Sequence, residues 1–252
     1  MSVPEPWSGG PVTDRATCVL QANPGPMTLE GTNTWVLSEP GSSTAVVVDP
    51  GEDDPAHRAA IAAVIGGRRV ALVVVTHHHR DHVGGLDAFT AEHPCEVVRC
   101  TDVADGAERD VDGLVLRFVH SPGHTSDSLS IQLADGSLLS GDTLLGRGST
   151  VIAADGDLGD YLATMRKLLR TAPTTLLPGH GSARPDAAAA LATQLAHRLD
   201  RLGQVGAAVD AGARSLDEIV VAVHGSLEPT LARAARSSIQ AQLTHLGVEL
   251  GR

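Results

Sequence analysis

Apolar residues follow two patterns along the chain. Short runs rich in Val, Ile and Leu predict β-strands, because a strand buried on both faces reads as a continuous apolar run. Longer stretches with apolar residues three or four positions apart predict helices that bury one face. The predicted strands cover 34–37, 45–49, 70–75, 96–98, 114–119, 129–133, 137–140 and 174–177, and the predicted helices cover 55–65, 83–91 and 157–170. The first thirty residues are rich in proline and glycine and predict extended chain and loop.

The order of these elements predicts the fold class. Strands and helices are mixed along the chain, and polar residues follow the ends of several strands. This mixture is typical of a layered α/β sandwich. We expect the functional site to lie at one edge of its sheets.

From about residue 185 the pattern changes to helices alone. Residues 186–209 are rich in Ala, Leu and Arg and predict a long helix. Ser215 and Glu218 have the spacing of a capping box, which predicts a second helix ending near residue 223. A third helix is predicted over 229–246, with an apolar face formed by Leu231, Ala235, Ile239, Leu243 and Leu246. We therefore predict two domains, residues 1–185 and a small helical domain of residues 186–252.

Composition narrows the class of protein. The chain has 252 residues, of which 42% are hydrophobic, so it has enough apolar side chains to build a buried core. Its formal net charge of −11 argues against duplex DNA as a partner. No apolar run approaches the ~20 residues that a membrane span needs. We see neither a secretory signal nor a cysteine framework for disulfides, and we expect a cytoplasmic location.

The strongest chemical signal lies directly after the strand predicted over 70–75. His77, His79, Asp81 and His82 fall within six positions, where the first two can bind one metal ion and the last two can reach a second. Three further polar residues, each preceded by a glycine, come after later strands: His124, Asp142 and His180. Imidazole and carboxylate groups are ligands that zinc accepts, so these seven residues predict a metal site. His78 lies in the same run, and we expect its side chain to point away.

The order of these residues, together with Asp49 at the end of the second predicted strand, resembles the metallo-β-lactamase superfamily. The resemblance implies an α/β fold of four layers, an αββα sandwich. It implies one metal ion on His77, His79 and His124 and a second on Asp81, His82 and His180, with Asp142 bridging both. It also implies that Asp49 orients a ligand histidine from behind. Two zinc ions are expected, and iron or manganese would accept the same ligands.

A pair of metal ions held in this way implies a mechanism. The two cations share a water molecule and lower its pKa toward neutrality, which produces a hydroxide nucleophile. We therefore predict a metal-dependent hydrolase that needs no serine or cysteine nucleophile. Asp81 is the predicted catalytic residue, because it can orient the hydroxide and carry its proton.

Three further regions narrow the resemblance to a subgroup. Residues 23–35, residues 157–161 and the C-terminal helices are similar to those of the β-lactamase-like endoribonucleases, in which a winged-helix-like domain follows the last metal histidine. The similarity favours hydrolysis of phosphodiesters in single-stranded RNA. Hydrolysis of thioesters or esters, as in glyoxalase II-like members, is the alternative. Hydrolysis of β-lactams is less favoured, because we see no secretory signal.

The substrate is therefore expected to be a small molecule or single-stranded RNA. Arg147 and Arg184 are candidate contacts for an anionic substrate, and surface ion pairs are the competing interpretation. We expect the helical domain to form a wall of the active site rather than to bind nucleic acid. Whether the chain forms a homodimer through its apolar helices is left open by the sequence.

Overall fold

The computed structural model describes residues 6–225 and 227–250, apart from the side chains of residues 229–231, 233 and 234. Two β-sheets pack face to face and carry helices on their outer faces. No helix in the described ranges is both long and apolar enough to span a membrane. The predicted place of Leu231 on an apolar helix face lies outside the described side chains.

The first sheet has six strands in sequential order: β1 (Gly10–Thr13), β2 (Ala16–Leu20), β3 (Asn33–Leu37), β4 (Thr44–Val48), β5 (Arg69–Val74) and β6 (Glu96–Val98). The first four strands are antiparallel, whereas β4, β5 and β6 run parallel to one another. Parallel neighbours need crossover connections. Helix α1 (Pro55–Ile65) joins β4 to β5, and α2 (Arg80–Val83) with α3 (Leu86–Glu92) joins β5 to β6.

The second sheet has five strands in the order β11-β10-β9-β8-β7. They are β7 (Glu108–Val111), β8 (Leu114–His120), β9 (Leu129–Leu133), β10 (Leu138–Gly141) and β11 (Leu176–Pro178). Strands β10 and β11 are parallel, and α4 (Leu158–Arg170) lies in the connection between them. The remaining pairs are antiparallel.

Alternate side chains of each strand enter different cores, because successive residues of a strand point to opposite faces. In β4, Val46 and Val48 pack between the two sheets, whereas Val47 packs on the side of α1 and α3. On the outer face of the second sheet, Leu138 packs with residues of α4 such as Met165. The layers are therefore helices, sheet, sheet and helices, which confirms the predicted αββα sandwich.

The C-terminal region contains the three predicted helices, α5 (Ala187–Asp210), α6 (Leu216–His224) and α7 (Pro229–Leu246). They share a small core that includes Val205, Ile219 and Ile239. The first turns of α5 also contribute Leu191 to the core beneath the second sheet. Helix α5 thus belongs to both cores, and the domain boundary at residue 185 stays a prediction. The described residues after α7, 247–250, form no strand, and the winged-helix-like character also stays a prediction.

The structure differs from the sequence expectations in three places. The first thirty residues are not loop throughout, because β1 and β2 lie within them. Pro11 is tolerated there since β1 is an edge strand, and β2 is held by its antiparallel pairing with β3. Strand β7 was not predicted either. The helix predicted over 83–91 begins earlier, at Arg80, and is interrupted at Gly84 and Gly85.

Candidate metal centre

The segment that follows β5 carries four of the seven predicted ligands. Thr76 lies two residues after β5, and its backbone N–H donates to Asp49 Oδ1 at 2.8 Å. The chain then turns into α2, whose N-cap is His79, and the N–H of His82 donates to the His79 carbonyl at 3.0 Å. This tight turn places the side chains of both histidines on the same edge of the first sheet, where the second sheet also contributes residues.

Three imidazole nitrogens converge at one point. His79 Nδ1 lies 3.0 Å from His77 Nε2 and 3.1 Å from His124 Nε2. Ligands placed tetrahedrally at the usual Zn–N distance are separated from one another by about 3.3 Å. These three nitrogens therefore have the spacing that a single zinc ion requires.

A carboxylate and two imidazoles form a second group. Asp81 Oδ2 lies 3.1 Å from His180 Nε2 and 3.4 Å from His82 Nε2, and the two histidine nitrogens are 3.3 Å apart. Each group has all its donor atoms within 4.8 Å of one another. These two groups have the same members as the two sets that the family resemblance implies, and their assignment as metal ligands stays a prediction.

Asp142 lies between the two groups. Its Oδ1 is 3.6 Å from His82 Nε2, and its Oδ2 is 3.4 Å from His180 Nε2 and 3.7 Å from His124 Nε2. Oδ1 is buried and has no hydrogen-bond partner among the described residues. A buried carboxylate oxygen without a partner is costly unless a cation compensates it. The residues therefore fit a metal centre in which this carboxylate touches both ions.

Contacts behind the histidines fix which ring nitrogen faces the centre. His82 Nδ1 donates to Asp49 Oδ2 at 2.8 Å, and His124 Nδ1 donates to the Val151 carbonyl at 2.6 Å. His180 Nδ1 donates to the Gly31 carbonyl at 3.1 Å. Since each Nδ1 donates to its own acceptor, each Nε2 faces the centre, where it can bind a metal ion through its lone pair when it carries no proton. Asp49 contacts His82, a predicted ligand, as the expectation requires, and its role in orienting a metal-bound histidine stays a prediction.

The charges of the two groups differ when no metal ion is bound. Burial and the neighbouring His82 hold the pKa of His77 well below its ordinary value. Burial would also lower the pKa of His180, but Asp142 and Asp81 outweigh it and raise the pKa to about 9. Burial opposes protonation of His82 as well, yet Asp142 and Asp49 raise its pKa well above the ordinary value. The second group therefore holds protons that a metal ion must displace.

Two glycines beside the ligands are required by close packing. A Cβ atom on Gly179 would lie 2.5 Å from Asp142 Oδ1, and one on Gly123 would lie 2.4 Å from the Cα of Tyr161. Both distances are shorter than any van der Waals contact. The glycines that precede His180 and His124 thus let these ligand loops approach the centre.

Comparison with known proteins agrees with this geometry. A sequence model of the metallo-beta-lactamase superfamily matches residues 27–110 and 101–180. The chain belongs to the metallo-β-lactamase superfamily. Members of this superfamily are in general metal-dependent hydrolases. The match covers all seven predicted ligands, from His77 to His180.

Individual relatives support the same assignment. The chain is 34% identical over 211 residues to a beta-lactamase-like protein 2 homolog of Caenorhabditis elegans, covering 75% of this chain and 69% of that protein. It is 28% identical over 204 residues to an atrochrysone carboxyl ACP thioesterase of Claviceps purpurea, covering 77% and 65%. A crystal structure of a beta-lactamase domain protein from Burkholderia ambifaria shares the fold, with a TM-score of 0.74, 22% identity and coverage of 96% and 89%.

The remaining candidates from the sequence lie outside the centre. His78 is exposed, and its Nδ1 contacts Asp127 Oδ1 at 2.9 Å, so its side chain points away as expected. Arg147 pairs with Glu30 at 2.7 Å, and Arg184 pairs with Asp186 at 2.8 Å. The structure therefore shows both arginines in ion pairs.

Several residues that support the centre were not predicted. Asn33 Nδ2 donates to the carbonyls of Pro178 and Gly181 at 2.9 and 2.8 Å, which holds the loop that carries His180. The Val151 carbonyl, which fixes His124, gives no signal in the sequence because any residue type offers a backbone carbonyl. Asn33 could have been suspected only as a polar residue at the start of a strand that is otherwise apolar.

The pKa shifts predict that metal binding releases protons. His180, with a pKa of about 9, and His82 both carry protons at pH 7 in the metal-free chain. Zinc binding should release on the order of two protons from the second group at pH 7, and its affinity should fall as the pH falls below about 9. Calorimetric titration in buffers of different ionisation enthalpy measures this number. The variant His180→Ala should release about one proton fewer, and an unchanged number would refute the assignment.

Replacing Asp49 tests how the tautomer of His82 is fixed. In Asp49→Asn an amide N–H can face His82 Nδ1, which favours the tautomer whose Nε2 carries the proton. We expect zinc affinity at the second group to fall by about 10- to 100-fold. Competition with a chromophoric chelator measures this affinity. Asp127→Asn is the matched control, because Asp127 contacts the exposed His78 in the same way, and equal affinities for the two variants would contradict the expectation.

Proposed function

We propose that this chain is a hydrolase with two metal ions, preferably zinc, bound by the seven predicted ligands, and that it cleaves a thioester or ester with an apolar acyl group. We chose this substrate class because of the surface beside the candidate metal centre. A cleft of about 190 Å³ opens next to His124 and Asp142. Its apolar lining comes from two loops and consists of Pro26, Met27, Leu29, Leu145 and Val151.

The character of the cleft suits an acyl chain. Met27 is 61% exposed. Removal of a large apolar side chain from water stabilises a protein or a complex. An apolar group bound in the cleft would cover Met27 and would bring its carbonyl carbon next to the metal centre. Apolar walls with a few polar groups at one end are typical of sites for small molecules.

The charges near the centre give less support to phosphodiester hydrolysis, which the subgroup resemblance favours. Contacts to RNA phosphates need free lysines and arginines. Arg147, which also lines the cleft, is paired with Glu30, and the formal net charge of the chain is −11. One curated relative bears the name of an ACP thioesterase, which supports the thioester reaction at the level of the family. Cleavage of single-stranded RNA remains the competing prediction.

The reaction follows from the positions of the residues. Two bound zinc ions would supply a hydroxide at neutral pH and would polarise the carbonyl oxygen of the substrate. With the ions bound, hydrolysis would join the hydroxide to the carbonyl carbon and break the carbon–sulfur bond, and the hydroxide proton would pass to the leaving sulfur. Asp81 is the member of the second group with the most exposed side chain, at 23%. We therefore assign to Asp81 the orientation of the nucleophile and the transfer of this proton.

A panel of substrates tests the proposed reaction. The panel contains acetyl and octanoyl thioesters, a glutathione thioester, an aryl phosphodiester, a single-stranded RNA and a chromogenic β-lactam. We expect the highest kcat/KM for the octanoyl thioester, since each buried CH₂ group contributes about a fourfold gain. Release of thiol is followed with a thiol-reactive chromophore, and His79→Ala is the inactive control. Cleavage of RNA without cleavage of any thioester would overturn the proposal.

A substitution at Met27 tests whether the cleft binds the acyl chain. In Met27→Ser the apolar contact is lost, so the ratio of kcat/KM for octanoyl over acetyl thioester should fall by about fivefold. Val221→Ser is a matched control, because Val221 on α6 is 60% exposed but does not line the cleft. The ratio should stay at the wild-type value in this control. An equal ratio in both variants would show that the acyl chain binds elsewhere.

A further inference from the structure

One buried arginine connects the C-terminal helices to the loop beside the metal centre. Arg198 lies on α5 and is only 7% exposed. Its Nη2 donates to the backbone carbonyl of Thr150, and its guanidinium carbon lies 5.1 Å from the centroid of the Tyr161 ring. A buried guanidinium is costly, so the few partners that it has are expected to be strongly held. This contact therefore anchors Thr150 from outside its own loop.

Thr150 belongs to a loop that touches two of the proposed ligands. Its Oγ1 donates to the carbonyl of Asp142 at 2.8 Å, which ties it to the residue between the two metal groups. The next residue, Val151, offers the carbonyl that accepts from His124 Nδ1 at 2.6 Å. Arg198 thus holds the carbonyl of Thr150, and the carbonyl of the next residue, Val151, fixes the tautomer of His124.

Other contacts hold this loop on either side of Thr150, and the backbone N–H of Ala153 donates to the His124 carbonyl at 2.9 Å. None of them contacts the Thr150 carbonyl, which Arg198 holds. Residues 147–149, directly before Thr150, are exposed and contribute little packing. Tyr161 Oη donates to the carbonyl of Thr143 at 2.9 Å and so holds the opposite end of the loop. Arg198, stacked near the same Tyr161 ring, holds the end that leads to Val151.

We propose that Arg198 is a positioning residue, which holds Thr150 and Val151 so that His124 presents Nε2 to the metal ion and Asp142 keeps its place between the two groups. The proposal rests on the proposed two-metal function. It assigns to α5 a role in positioning predicted metal ligands, in addition to the predicted role of the helical domain as a wall of the active site. The side chain lies behind the loop and acts on the predicted metal ligands only through residues 150 and 151. The Val151 carbonyl contacts His124, and the Thr150 hydroxyl contacts Asp142.

The test compares Arg198→Met with Arg201→Met. Arg201 lies on the same helix and also donates to a backbone carbonyl, that of Val223 at 2.9 Å, but this carbonyl belongs to α6. Both variants lose one charge and one such hydrogen bond. We expect Arg198→Met to bind the metal ion of the His77, His79 and His124 group about 10- to 100-fold more weakly, as is usual when a contact behind a ligand is lost. Arg201→Met should bind it as the wild type does.

Two measurements separate positioning from a general loss of stability. Competition with a chromophoric chelator gives the metal affinity, and the visible absorption of the cobalt-substituted protein reports the ligand geometry. We expect an altered cobalt spectrum for Arg198→Met only, with partial recovery in Arg198→Lys, while thermal unfolding is compared for all variants. Equal affinities and spectra for Arg198→Met and Arg201→Met would overturn the proposal.

A second variant keeps the test decisive if Arg198→Met does not fold. Thr150→Val removes the hydroxyl that contacts Asp142 but leaves Arg198 in place. We expect the same direction of change in metal affinity and cobalt spectrum. Wild-type behaviour of Thr150→Val would overturn the proposed link from Thr150 to Asp142, and with it the claim that Arg198 holds both His124 and Asp142 in place. A wild-type chain that takes up no metal would overturn the proposed function itself, and this role of Arg198 with it.

Discussion

The structure depends on one constraint, the burial of many metal-ligand side chains in a single place. Nitrogen lone pairs of His77, His79 and His124 meet within about 3 Å, as do the donor atoms of Asp81, His82 and His180. Asp142 Oδ1 is buried between them without a hydrogen bond from the described residues. In the first group, nitrogen lone pairs that face one another repel, and in the second group the histidines need extra protons to pair with Asp81 and Asp142. Cations bound at both groups would remove the repulsion and replace those protons.

The fold supplies the rigidity that such a site needs. The ligands come from loops at one edge of the two packed sheets, and each loop is held by a separate contact. Asp49 fixes His82, the Gly31 carbonyl fixes His180, and the Val151 carbonyl fixes His124. Contacts of this kind determine the tautomer of each imidazole as well as its position. The contacts that hold the candidate metal centre are therefore distributed over both sheets, and the proposed role of Arg198 would extend them to the C-terminal helices.

The sequence predicted the parts of the site that depend on local order. The run from His77 to His82 carries four ligands in six positions, and glycines mark the other three, so both signals can be read along the chain. The β-branched runs likewise predicted most strands. The strand pair β1–β2 was missed because Pro11 and the flanking glycines dominate the local pattern, while pairing with β3 decides the structure.

What the sequence did not predict depends on contacts between distant residues. Asn33 holds the Pro178 carbonyl across 145 positions, and Arg198 reaches Thr150 across 48. No periodicity or motif in the sequence indicates that these distant residues form contacts. The apolar cleft has the same origin, since Met27 and Leu145 meet only when two separate loops are brought together. The choice between thioester and phosphodiester substrates therefore depends on features that only the folded chain displays.

The metal content of the purified protein tests the central claim most directly. The wild type and His79→Ala are each dialysed against zinc and then against metal-free buffer. Elemental analysis then gives the number of zinc ions per chain. Our account predicts about two zinc ions in the wild type and about one in the variant, because His79 serves only the first group. Less than about one ion per wild-type chain, with the same value in His79→Ala, would contradict it.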